Sequence, residues 1–69
     1  MADSVYKIIE LVGTSNVSWE DAAKNAVETA SGTLHDLRIG EIRKLDMTIE
    51  GGIVKSYRTR VSVSFRLDA

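Results

Sequence analysis

Cysteine and proline are both absent from this chain, and histidine occurs once. Without cysteine there are no disulfides, no thiolate metal ligands and no thiol nucleophile. Without proline there is no proline-rich linker, and neither a repeat nor a low-complexity stretch divides the chain. A single imidazole rules out a multi-histidine metal site within one copy. Charge of one sign is also lacking: nine Lys and Arg meet ten Asp and Glu, for a net −1. Such a balance gives no general attraction to nucleic acid or to acidic membranes. No apolar run approaches the roughly 20 residues of a membrane span. Asp3 and Lys7 interrupt the start, so no secretory pattern opens the chain, and a soluble, cytoplasmic protein is expected. Nucleotide-cradling GxGxxG and GxxxxGK[ST] strings are missing, as is a G-x-S-x-G elbow. No nucleophile and base can be paired, and an enzyme is not expected.

What the chain has is an alternation. From Ile53 to Leu67 the odd positions read Ile, Lys, Tyr, Thr, Val, Val, Phe, Leu, and the even positions are mostly Ser and Arg. Successive side chains of a strand point to opposite faces, so one face is apolar and the other polar. A strand of this length is about three times the usual one, long enough to reach a neighbouring subunit. With 69 residues the chain is one domain, 1–69. A domain of this size buries only about 60% of its unfolded surface and is marginal alone. With disulfides excluded, oligomerisation is the remaining staple.

The other elements follow from local pattern. Val5 to Val12 is rich in β-branched residues and reads as a first strand, which Gly13-Thr14-Ser15-Asn16 should break. Ser18 is a helix N-cap, with Asp21 placed for an aspartate version of the capping box. The helix is expected from Trp19 to about Gly32, with Trp19, Ala22, Ala23, Ala26, Val27 and Ala30 as its apolar stripe. A stripe made mainly of alanine lets a helix sit close against a sheet. Leu37 to Ile49 reads as a second strand, and Glu50-Gly51-Gly52 as a hairpin turn into the third. The expected fold is α+β with order β-α-β-β: a three-stranded, mostly antiparallel, curved sheet packed on one helix.

The opening VYKIIELVGTS, the small-residue helix, the hairpin around Glu50-Gly51-Gly52 and the closing VSVSFRLD together resemble the dodecins. The resemblance covers nearly the whole chain. It implies a hollow homododecamer that stores or sequesters a flavin rather than catalysing a reaction. Flavin-binding dodecins carry a Trp early in the second strand, which stacks on the isoalloxazine ring, and a Gln in the third that hydrogen-bonds it. The corresponding positions here are Ile39 and Arg58. Arg66 matches the family pattern and is placed for an anionic group. Ile39 forfeits the aromatic stack, worth about 0.5–1.5 kcal/mol, and Arg58 has no acceptor with which to replace a Gln amide. Ile39, Arg58 and Arg66 are therefore the expected ligand-binding residues, with flavin affinity weak or absent. The SWE helix start and the Asp46-Met47 pair resemble a calcium-linked subgroup, which makes Asp46 the candidate metal ligand and calcium the alternative cofactor. A ligand-free structural assembly is the third reading.

Each of these residues also has a plainer reading. Arg58, Arg60 and Arg66 share a strand face, which is either an anion site or a solvated, subunit-bridging surface. Asp46, Glu50 and Glu41 lack the spacing of an EF-hand, so a calcium site would need several copies, carbonyls or water. His35 is read as an exposed loop residue, and Trp19 and Tyr57 as core or interface aromatics.

Overall fold

The computed structural model describes residues 4–67. Strand β1 spans Val5–Ser15, helix α1 Trp19–Ala30, strand β2 Leu37–Glu50 and strand β3 Ile53–Leu67. The strands form one sheet in the order β1-β3-β2, and both neighbours of β3 run antiparallel to it. The expected β-α-β-β architecture is the one observed.

The long alternation explains why β3 is the central strand. Its odd residues Thr59, Val61 and Val63 are almost wholly buried beneath α1. Ala22, Ala26 and Ala30 of the helix supply the other side of this core. These small residues bring the two layers together, and Gly13 of β1 completes the approach. A Cβ at Gly13 would overlap the carbonyl of Ala22 and lie 2.9 Å from the Ala26 Cβ. Gly13 is thus a packing residue within a strand. The expected break after Val12 does not occur: β1 continues through Ser15, with Gly13 paired to Thr59 and Ser15 to Tyr57.

Ser18 caps α1 as expected, with extended backbone and its Oγ accepting from the Asp21 amide at 3.0 Å. The Asp21 carboxylate does not complete a box with Ser18. It accepts instead from the buried Ser15 hydroxyl at 2.6 Å, while Ser15 Oγ receives the amide of Val17 at 2.9 Å. The end of β1 is thereby tied to the start of α1. The helix stops at Ala30 rather than near Gly32. Ser31 caps it, and the Leu34 amide returns to the Ala30 carbonyl at 2.8 Å. Asp36 enters β2 at φ 58°, a left-handed conformation that aspartate tolerates better than most residues. The β2–β3 turn is the pair Gly51-Gly52, at φ 58° and 76°, as a two-residue turn of the primed type requires. Glu50 belongs to β2, paired with Ile53.

Candidate ligand face and its cross-strand ion pair

The face of the sheet away from α1 carries the even residues of β3 from Ser56 onward, flanked by Tyr6, Ile8, Glu10, Val12 and Thr14 of β1. On the β2 side it carries Ile39, Glu41, Lys44, Asp46 and Thr48. All four candidate residues lie on this face, at its two ends. Arg66 stands opposite Tyr6, and Ile39 opposite Ser64. Asp46 stands opposite Arg58. Ser64 and Arg58 are six residues apart on one strand, or about 20 Å. One copy therefore joins Asp46 to Arg58, and holds Ile39 with Arg66 elsewhere.

The Asp46–Arg58 contact is a two-pronged ion pair. Arg58 Nε donates to Asp46 Oδ1 at 2.7 Å, and Nη2 donates to Oδ2 at 2.8 Å. The parallel fork is the geometry that makes arginine–carboxylate bonds short and directional. The hydrogen bond from Arg58 holds the Asp46 carboxyl below its usual range, and the charges of Arg58, Arg60 and Lys44 add to the effect. The Arg58 guanidinium is in turn raised by its bond to Asp46. Both side chains are partly open to solvent. Lys44 and Arg60 stand directly opposite one another in the next row, a like-charge neighbourhood that Asp46 partly offsets.

A register feature creates this pair. A plain two-residue hairpin at Gly51-Gly52 would set Asp46 opposite Tyr57. The irregularity between Thr48 and Ile49 leaves Lys55 of β3 as an extra, unpaired residue and brings Asp46 opposite Arg58. Bulges shift pairing in this way without a strong sequence mark, so residue spacing alone did not reveal the contact. Trp19 secures the same stretch from the other face. Its Nε1 donates to the Asp46 carbonyl at 2.8 Å, and its ring meets Tyr57 edge-on at 5.0 Å between centroids. Both rings are half-buried, and His35 is exposed in the α1–β2 loop.

The residues present fit a flavin ring poorly. Ile39 is 66% exposed and presents a small aliphatic surface in place of an aromatic plane. Arg58 already commits two of its donors to Asp46. A cation at Asp46 would meet both carboxylate oxygens engaged by a guanidinium, and no cluster of three or more Asp, Glu, His or Cys stands among the described residues.

One helix packed on a three-stranded antiparallel sheet, in the order β-α-β-β, defines a two-layer α+β fold. The chain belongs to the dodecin family, whose profile matches residues 5–68. It is 39% identical over 64 residues to the calcium dodecin of Mycobacterium tuberculosis, covering 93% of this chain and 90% of that protein. It is 41% identical over 64 residues to the dodecin of Thermus thermophilus, covering 93% of each. The structure of dodecin from Streptomyces coelicolor superposes with a TM-score of 0.93 at 35% identity, over 100% of this chain and 99% of that one.

Proposed function

We propose that this chain is a subunit of a hollow homododecamer that stores or sequesters a small anionic ligand at contacts between copies, with weak or no affinity for flavin. One observation carries this reading: Arg58 is clamped by Asp46 at one end of the open face while Ile39 and Arg66 stand at the other. A ligand that touches all of them needs at least two copies. Ile39 supplies apolar contact, and Arg66 and the outer edge of Arg58 meet negative charge. Storage rather than catalysis fits the dodecin family to which the chain belongs.

Assembly is supported by the single copy's own surface. Ile8, Ile39, Ile49 and Ile53 are each more than half exposed, more apolar surface than a small soluble monomer ordinarily leaves uncovered. Native mass spectrometry of the purified protein reads subunit number and bound mass together. A dodecamer without flavin is the expected result. A dodecamer carrying stoichiometric flavin refutes the low affinity, and a monomer refutes the assembly.

Calcium is the second reading, favoured by the 39% identity to the calcium dodecin. It requires Asp46 to exchange Arg58 for the cation. Calcium should then raise the melting temperature, since a ligand that binds only the folded state stabilises it, and Asp46→Ala should abolish the rise. An unchanged calcium response in Asp46→Ala removes Asp46 from the metal site.

A further inference from the structure

On the open face Lys44 of β2 stands directly opposite Arg60 of β3, and Val12 of β1 flanks Arg60 on the other side. Directly opposite side chains have Cβ atoms about 4.5–5.5 Å apart, and like charges so placed destabilise a sheet. Arg60 lies in the central strand and is half-buried, which raises the cost of leaving its guanidinium without a partner. The ion pairs among the described residues are Arg38–Asp36, Arg43–Glu41 and Arg58–Asp46. Neither Lys44 nor Arg60 takes part in one. The acids of β2 near them are already engaged: both carboxylate oxygens of Asp46 accept from Arg58, and Glu41 accepts from Arg43 at 3.3 Å. Glu10 stands opposite Ser62, one row beyond Arg60 on the β1 side, and pairs with neither cation.

Arg58 belongs to the same cluster. It lies two residues from Arg60 along β3, on the same face and about 7 Å away. Its Nε and Nη2 donate to Asp46, which leaves Nη1 for another acceptor. The charges of Arg60 and Lys44 reach Asp46 as well, and help to hold its carboxyl below the usual range. Three cations against one carboxylate leave two positive charges in two adjacent rows. A carboxylate ligand carries a single charge and is satisfied by one arginine fork, as Asp46 is by Arg58. A phosphate group carries about two negative charges near neutral pH and offers three strong acceptor oxygens to separate donors. Lys44, Arg60 and Nη1 of Arg58 are three such donor groups.

We propose that Lys44 and Arg60, with the Nη1 edge of Arg58, form a binding site for a phosphate dianion that is complete within one copy of the chain. Arg60 meets the phosphate oxygens with its fork from the central strand. Lys44 adds a point charge from β2, and Arg58 donates from the next row. Asp46 stays on Arg58 and fixes the guanidinium, so it is a positioning residue for this site. The face is open, and the remaining oxygen is either bare, as in inorganic phosphate, or bears the organic group of a phosphate monoester. This inference rests on the anionic-ligand reading above, names the class of anion, and assigns its charge to Lys44 and Arg60.

The test compares inorganic phosphate and glycerol phosphate with acetate and chloride at matched ionic strength and about pH 8, where a phosphate monoester is a dianion. Both phosphates should raise the melting temperature of the wild type to a plateau, and acetate and chloride should not. By titration calorimetry, Lys44→Gln and Arg60→Gln should each weaken phosphate by about tenfold or more. Lys24→Gln, the same charge change on the exposed side of α1, should stay within about twofold of the wild type. Lys44→Glu turns the like-charge row into an opposite-charge one. It should melt higher than the wild type without phosphate and no longer respond to it. Circular dichroism verifies folding, and the two Lys44 variants, at an exposed position, carry the test if Arg60→Gln does not fold. A phosphate response no greater than that to acetate overturns the site, and so does a folded Lys44→Glu that melts lower than the wild type. Phosphate binding that is lost in Arg66→Gln and kept in Arg60→Gln also overturns it, while leaving the anionic-ligand reading standing. No response to any anion removes that reading too. Binding of inorganic phosphate without glycerol phosphate overturns the ester as a ligand.

Discussion

Arg58 and Asp46 neutralise one another across β3 and β2, and this sets the chemistry of the open face. Since folding lowers the Asp46 pKa, pairing stabilises the folded chain above about pH 4 and is lost as pH falls through the lowered value. The melting temperature of the wild type should therefore exceed that of Asp46→Asn at neutral pH, with the gap closing in strong acid. High salt should narrow the gap too, because the pair is exposed and screened. In the proposed ligand site, Ile39 is the second residue to test. Ile39→Trp combined with Arg58→Gln should strengthen flavin binding, read as greater quenching of flavin fluorescence. The stacking gain of about 0.5–1.5 kcal/mol corresponds to roughly twofold to tenfold in affinity. No gain in quenching would argue that the face does not form the ligand contact.

Among the elements, the seam between β1 and α1 tolerates least change. Gly13 lies against the Ala22 carbonyl and the Ala26 side chain, so Gly13→Ala must push helix and strand apart. Overpacking of this kind costs about 1–3 kcal/mol, measurable as a lower midpoint in urea. Ser18→Ala removes the acceptor for the Asp21 amide and should cost about 1 kcal/mol. Ser15 links the two elements through Asp21 and the Val17 amide, so the connection is held by side-chain bonds rather than by a rigid turn sequence. That is why a run read as a strand break from Gly13 to Asn16 is mostly strand.

For the whole molecule, the balance of buried and exposed apolar groups is the controlling fact. The core of one copy rests on Val61, Val63 and three alanines, while many larger side chains stay outside it. Stability should therefore depend on protein concentration, as it does wherever subunits bind only in their folded form. Thermal unfolding at two widely separated concentrations is the check, with a higher midpoint expected at the higher one. A midpoint independent of concentration would mean that one copy holds its fold unaided.

Local physics in the chain already determined the element order, the face each β3 residue takes from Ser56 onward, the Ser18 cap and the glycine turn. Each depends on near neighbours: alternation, one side-chain acceptor, or positive φ. The placing of Ile39 and Arg58 on one face also follows from alternation once the strands are known. Only the tertiary structure decided the strand order β1-β3-β2, the continuation of β1 past Gly13 and the pairing of Asp46 with Arg58. Those depend on contacts between distant segments. Gly13 belongs in a strand because a helix presses on it, and Asp46 meets Arg58 because the extra residue Lys55 in β3 shifts the register. Neither cause leaves a mark within the few residues around the position it governs.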